Sequence, residues 1–464
     1  MTDNPYLAID QQMVGDIYTS SEVMDTLTVL CDDFGSRFGG TPGERQAAEY
    51  LKAKMEEYGL QNVHLEPVEY VGWRRGETTL EIVTPVQMTI PCISLPHSPP
   101  AELEAAIVDL GDGGVKDFET AGDSVVGKIA MVNSKAQPRG MRRWVHRNEK
   151  YGRSLMAGAV GFIFVNHYPG YGPATGGIGD NDEGLIPGIS VSYEDGAFLQ
   201  RLVRRKGDVS VRIRSTDSTE PMTSWNVIGE LPGTGDNPEI VMLGSHYDGH
   251  DISQGAEDPA SGTVAVLEAA RVVAKYAGRQ PQTMRFALWG VEEIGLIGSK
   301  RYVRDHEDEM DNIRFYYNMD SAGGGSRKDV MLNEWPALEP VFQAWQQQMA
   351  QDFGVGETIG AHSDHFPFLL QGVPTGGMEP VERTFTGRGY GHTRYDTLDK
   401  VSIANLREAA ALAARLALRM ADASEWPVTR RSEDQVKALF DKPEYQEEAD
   451  IRVQISAFKE KVRQ

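Results

Sequence analysis

Cysteine is almost absent: in 464 residues only Cys31 and Cys92 occur. Two thiols build neither a disulfide framework nor a thiolate zinc centre, so a reducing compartment is the simpler expectation, with a single bridge between them left open. Positive charge is also short. Lys and Arg total 46 against 68 Asp and Glu, a net charge of −22, and a chain so acidic repels phosphate backbones and anionic lipid. Neither nucleic acid nor a membrane is an expected partner. No apolar run reaches the roughly 18 residues of a membrane span, and the first twenty residues lack the basic cluster and apolar core of a secretory leader. The expected location is the cytoplasm; a secreted mature form would read the same way. What the chain does have is length for two or three domains. Its balance of 40% hydrophobic and 25% charged residues excludes disordered and fibrous classes.

Val23, Met24, Leu27 and Leu30 recur at helical spacing, and Thr41-Pro42-Gly43-Glu44 reads as a second helix start. Thr41 suits the cap, Pro42 the first position, and Glu44 a bond back to the cap; Ala47, Ala48, Leu51 and Met55 form the stripe, which stops at Gly59. From about residue 63 to 214 short β-rich runs take over (78–83, 106–110, 128–132, 161–165), broken by Gly and Pro. From Asn226 the pattern alternates: strand 239–244, helix 262–277, strands 284–289 and 313–319, then a long Ala/Leu helix at 402–423. That alternation predicts an α/β fold, a mixed, mostly parallel sheet flanked by helices. Beyond Pro427 follows a tail of mixed charge without a readable motif.

Three consecutive strand candidates end in residues that bind metals well. The run 239–245 leads into His246 and Asp248, 285–289 into Glu292 and Glu293, and 314–319 into Asp320. Ligand sites gather beyond the carboxyl ends of strands in open α/β sheets, so these edges should converge in one crevice. Asp258, at the next helix start, and His392, in a later loop, can reach the same place. Two imidazoles and three of these carboxylates, without a thiolate, suit zinc, cobalt or manganese. Five ligands are too many for one open tetrahedral zinc and about right for two metals sharing a carboxylate. Each piece taken singly is ordinary surface chemistry; their joint occurrence at successive strand ends is not.

The chain resembles the co-catalytic zinc exopeptidases, the family of bacterial leucyl aminopeptidases, carboxypeptidase Q and glutamate carboxypeptidase. The matching motifs are Asn226-Val227-Ile228-Gly229, His246-x-Asp248, Asp258 before a small-residue helix start, Glu292-Glu293-x-Gly295-x-x-Gly298-Ser299, Asp320, Ser363-Asp364-His365 and His392-Thr393-x-x-Asp396-Thr397. The resemblance implies two zinc ions, with cobalt or manganese as substitutes. It makes His246 and Asp320 ligands of one, Glu293 and His392 ligands of the other, and Asp258 the bridge. Glu292 would be the general base, taking a proton from a shared water and delivering one to the leaving amine. Asp248 would orient the His246 imidazole. The family has a cis bond after its bridging aspartate, here Asp258-Pro259, where proline makes that geometry cheap.

Through Gly127-Lys128-Ile129-Ala130, Ala157-Gly158-Ala159-Val160-Gly161 and Ile186-Pro187-Gly188-Ile189-Ser190 the β-rich module is similar to the protease-associated (PA) domain inserted in many members. The expected organisation is a discontinuous peptidase domain (1–75 and 219–427), the PA insert (76–218) and a charged tail (428–464). A basic cluster, Arg139, Arg142, Arg143, Arg147, Lys150 and Arg153, reads either as a solvated face or as a device that draws a substrate carboxylate into the cleft. Tyr390, His365 and Arg394 are candidate substrate contacts. His250 and His362 read as ordinary polar loop residues.

The expected function is hydrolysis of terminal peptide bonds of short peptides, first as an aminopeptidase. A carboxypeptidase or dipeptidase would need an Arg or Lys clamp on the terminal carboxylate, for which Arg383, Arg388 and Arg394 are available. A glutaminyl-cyclase-like acyltransferase would hold one zinc. A receptor-like protein of the transferrin receptor branch would not need Glu292 and the ligands. A homodimer is compatible with all of these readings.

Overall fold

The computed structural model describes residues 4–179, 182–322, 325, 327–381 and 389–464. Two eight-stranded sheets carry the chain. In the first, the strands run in the order Gln61–Arg74, Ser218–Leu231, Thr283–Trp289, Ile240–His246, Ile313–Asn318, Thr375–Gly377, Val330–Met331 and Val355–Gly356. The first two pairings are antiparallel, and the centre, Thr283–Trp289 with Ile240–His246 and Ile313–Asn318, is parallel.

The central strand Ile240–His246 is buried along its whole length, as a strand covered on both faces must be. Its alternate side chains separate two layers. Val241 and Leu243 join a core with the helices Leu7–Ser20, Ser261–Tyr276 and Ile403–Asp422; Ile240 and Met242 face Tyr302, Val303 and Phe368 from the helices Ile297–Asp305 and His365–Leu370. The helix Ile403–Asp422 owes its stability to alanine and leucine propensity and to a buried stripe that includes Leu406, Ala410, Ala413 and Ala417. Truncating a buried leucine such as Leu412 would cost about 2–5 kcal/mol.

The helix Pro42–Glu57 starts as its sequence indicates, with the Thr41 side chain accepting from the Glu44 amide at 3.3 Å. Glu44 departs from the expected bond to the cap. Its carboxylate accepts from the Gly40 amide at 2.6 Å and from the Ser224 hydroxyl, and burial raises its pKa well above the usual range. Tertiary burial against Ser224 outcompetes the local bond.

The second sheet runs Met88–Ile90, Thr78–Thr84, Ser210–Ser215, Ala101–Asp109, Ile129–Asn133, Gly161–Val165, Gly188–Val191 and Cys92–Ser94, with the stretch from Ala101–Asp109 to Gly188–Val191 parallel. It is a mixed sheet with its own helices, Arg147–Met156 and Tyr193–Lys206 among them, and thus less purely β than its sequence texture. Cys31 and Cys92 are free thiols, so the bridge left open by the sequence is absent.

The tail after Pro427 folds into the helices Glu433–Phe440 and Pro443–Arg463. The first is capped by a reciprocal Ser432–Gln435 pair. The second lies on the helix Arg147–Met156, where Ile455 occupies the space a Cβ on Gly152 would need. Arg143 pairs with Glu447 at 3.1 Å on that side, and Arg452 meets His362 at 3.2 Å on the other. The tail thereby joins the inserted domain to the rest. No helix among the described residues is long and apolar enough to cross a membrane.

Candidate metal centre

The three central strands are parallel and in register, His246 opposite Trp289 and Gly244 opposite Asn318, so their carboxyl ends open into one crevice. His246 closes the first strand, Gly290 to Glu293 turn away from the second, and Met319 and Asp320 follow the third. Two glycines permit the close approach. A Cβ on Gly290 would strike Ser224 and the Trp225 carbonyl, and one on Gly262 would strike the Met319 and Asp320 carbonyls. Val291, just before the paired glutamates, has φ +59°, an unfavourable conformation for a β-branched residue. Its burial with Phe38, Trp73 and Ile294 holds it there.

Asp248 shapes the glutamate turn. Its carboxylate accepts the Glu292 amide at 2.9 Å and the Glu293 amide at 3.3 Å, while its backbone carbonyl stands 3.1 Å from His246 Nδ1. The Asp248 carboxylate oxygen itself is 3.6 Å from that nitrogen. Asp396 performs a parallel task for Asp258, accepting the Glu257 amide at 2.8 Å and the Asp258 amide at 3.1 Å. The Asp258-Pro259 bond is cis.

These supports bring the donor atoms together. His246 Nε2 lies 3.4 Å from Asp258 Oδ1 and 3.3 Å from Asp320 Oδ1; His392 Nε2 lies 3.3 Å from Asp258 Oδ2 and 3.7 Å from Glu293 Oε2. Asp258 thus faces both imidazoles, one with each oxygen. Zinc bound tetrahedrally at about 2.0–2.1 Å places neighbouring donors about 3.3 Å apart, so the spacing and the nitrogen and oxygen donors fit two such ions. Glu292 Oε2 stands slightly back, 3.9 Å from His246 Nε2. Two groups of donors emerge: His246 with Glu292 and Asp320, and His392 with Glu293 and His250. His250 is the residue sequence reasoning passed over; it is buried, and no repeat or spacing singles it out.

Charge in the crevice is badly balanced without cations. Glu292 is raised well above the usual carboxylate range by burial, with Asp320, Asp364 and Glu293 repelling its charge; Glu293 is raised by burial and by Asp258. Asp258 goes the other way: burial opposes its charge, but hydrogen bonds with His246 and His392 outweigh it. Burial and the neighbouring Asp248 and Asp320 push Asp364 to about 7, although Ser299 donates to it at 2.6 Å. Burial and Asp258 push Asp396 to about 6. Buried carboxylates crowded in this way are a ready site for positive ions.

The other sequence candidates separate. His365 is buried behind the crevice with Nε2 on the Gly360 carbonyl at 2.7 Å. Arg394 is exposed and lies over the Tyr395 ring at 5.2 Å. The Tyr390 carbonyl accepts from the Thr393 amide at 3.1 Å, closing the turn that presents His392. Arg383 and Arg388 lie outside the described residues. The basic cluster divides. Arg139 and Arg142 are exposed, Arg143 and Arg153 bind Glu149, and Lys150 donates to the Asn133 and Lys135 carbonyls. Arg147 alone of the six reaches the crevice. Its Nε and Nη1 donate to the Gly177 and Thr175 carbonyls at 3.0 and 3.2 Å, Gly177 abuts Ile294 and the Glu293 carbonyl, and the Thr175 amide donates to the His392 carbonyl at 2.7 Å. Burial lowers the Arg147 guanidinium to about 10 against the attraction of Glu293 and Glu292.

Comparison with known proteins agrees with this architecture. Residues 226–417 match the model of peptidase family M28 and residues 101–199 that of the PA domain. Leucine aminopeptidase 2 of Trichophyton equinum is 27% identical over 376 residues, 78% of this chain and 72% of the relative. Carboxypeptidase Q of Bos taurus is 24% identical over 86% of this chain and 85% of its own length. Among solved structures, a peptidase M28 precursor from Shewanella amazonensis superposes with a TM-score of 0.78 at 25% identity, covering 92% of this chain and 98% of the other. A zinc aminopeptidase from Bacillus subtilis does so with a TM-score of 0.67 at 26% identity, covering 88% and 98%.

Proposed function

The chain belongs to peptidase family M28 and carries an inserted PA domain, and from that premise we propose that it is a zinc-dependent exopeptidase of short peptides, acting first as an aminopeptidase. The observation that carries the reading is the double donor cluster at the carboxyl ends of the central strands, with Asp258 turned to both imidazoles. In this reading His246 and Asp320 would hold one ion, Glu293 and His392 the other, and Asp258 would serve both. Two zinc ions so held would polarise the scissile carbonyl and acidify a water.

The protein's own groups do the rest. Glu292, its backbone fixed by Asp248 and its carboxylate set back from the donors, accepts the proton of the attacking water and returns it to the leaving amine. Asp248 holds the glutamate turn and, through its carbonyl, the His246 ring, so it is a positioning residue.

Aminopeptidase action is supported by the relatives' names, leucine aminopeptidase and zinc aminopeptidase. Hydrolysis of a leucine dipeptide and its N-acetylated twin, by chelated and by zinc-reloaded protein, tests metal and polarity together. Zinc-dependent cleavage of only the free-amine peptide is the expected result; cleavage of both would replace the reading with a carboxypeptidase.

Arg147 favours a second reading, a preference for dipeptides. A half-buried guanidinium held by two carbonyls beside the Glu293 turn can grip a carboxylate one residue beyond the scissile bond.

A further inference from the structure

His250 follows His246 by four residues, in the loop that leaves the central strand. The structure buries it, 1% exposed, and neither Nδ1 nor Nε2 makes a hydrogen bond. Both nitrogens are thus polar atoms in a place water does not reach, an arrangement folded proteins avoid unless something else meets the demand. Nε2 nevertheless stands 2.9 Å from Glu293 Oε2. That separation would suit a hydrogen bond, yet the ring N–H is not aligned with the carboxylate. Two donor atoms that are close but not aimed at each other are what a shared third point produces, because ligands of one ion direct their lone pairs at the ion. The His392 ring stands edge-on to the His250 ring with centroids 4.6 Å apart, and donor atoms of His250, Glu293 and His392 lie within 4.8 Å of one another.

We propose that His250 is a metal ligand, offering Nε2 to the same cation as Glu293, His392 and Asp258. The proposal rests on the two-metal reading above and changes its balance. One position receives four protein donors and the other, with His246, Asp320 and Asp258, three. A four-donor nitrogen and oxygen set binds zinc in the manner of a closed site, whereas a three-donor set keeps a place open for water or substrate. The two positions would therefore differ: His250, Glu293, His392 and Asp258 would hold the more tightly bound ion, and His246, Asp320 and Asp258, next to Glu292, would hold the more open one.

The alternative role for His250 is to orient Glu293 through a hydrogen bond. Zinc binding to the full chain separates the two. X-ray absorption at the zinc edge of the fully loaded wild-type protein should count three imidazoles shared between two zincs; two imidazoles would overturn the proposal, with no variant needed. Zinc content is then measured across buffered free-zinc concentrations. His250→Phe, which keeps a ring but no donor, should weaken one of the two zincs by about 100-fold or more and leave the other in place, beyond the effect of losing a merely orienting partner. His250→Asp, which restores a donor, should recover most of that loss. Wild-type affinity for both zincs in His250→Phe would overturn the proposal. A wild-type protein that binds no zinc would sink the metallopeptidase reading with it, a failure distinct from that of His250.

Discussion

The two sheets occupy equivalent ground and use it differently. Each has eight strands with a parallel core, and each therefore has a set of carboxyl ends where ligands can gather. At the first sheet those ends carry His246, the Glu292–Glu293 turn and Asp320, a crowd of buried carboxylates that bound cations would relieve. At the second the same edge is closed by hydrogen bonds. Ser134 Oγ meets His167 Nδ1 at 2.6 Å, Asn133 donates to Asp112 at 2.6 Å, Asn166 donates to the Gly172 carbonyl at 2.8 Å, and Lys150 donates to two carbonyls. Among the described residues the metal-capable clusters lie at the first sheet. Topology provides the crevice; side chains decide whether it becomes a site.

The sharpest break in this comparison is Glu292→Gln. It should lower kcat by about 10³- to 10⁴-fold while zinc content stays at the wild-type level; turnover within tenfold of wild type would remove Glu292 as base. Chelation comes next. Ions that bind only the folded state stabilise it by about 2.7 kcal/mol at 100 times their Kd, so their removal should cost the strand Ile240–His246 amide-exchange protection and leave Gly161–Val165 protected. Equal loss at both would show that the sheets unfold as one unit.

A smaller effect belongs to the second sheet. Burial lowers Lys150 to about 7, below its unfolded value of about 10.4. Between those values the unfolded chain binds the extra proton, so stability rises with pH through this window and is flat below it. Between pH 7 and 9 the gain should be about 2 kcal/mol. Urea unfolding of Lys150→Met followed at the second sheet should lack that rise; an unchanged slope would place the lysine's pKa elsewhere. The smallest effect joins the two domains. Arg147→Gln should raise KM about tenfold for a dipeptide and leave its amide unchanged. Equal loss on both substrates would make Arg147 a structural bolt.

Much of this was legible in the sequence because it is local. The strand 240–246 announces itself by the apolar run Ile240 to Leu243, the helix at 403–422 by alanine and leucine periodicity, and His246, Glu292, Glu293 and Asp320 by their place at strand ends. The C-terminal helices could have been found too: Ser432-x-x-Gln435 is a capping box, and Pro443 follows Lys442 as a first-turn proline.

The sequence by itself offered His246, Asp258, Glu292, Glu293, Asp320 and His392 as candidate donors and told on which elements most of them ride, because strand polarity and helix starts follow from periodicity within a few residues. Only the tertiary structure decided that His250 turns inward against Glu293, that Asp396 accepts the amides of Glu257 and Asp258, and that Arg147 arrives from the inserted domain. It also turned Glu44 from its own cap to Ser224. The physical reason is shared: each of these contacts joins segments far apart in the chain or is set by burial, and burial against a distant surface decides which local possibility survives.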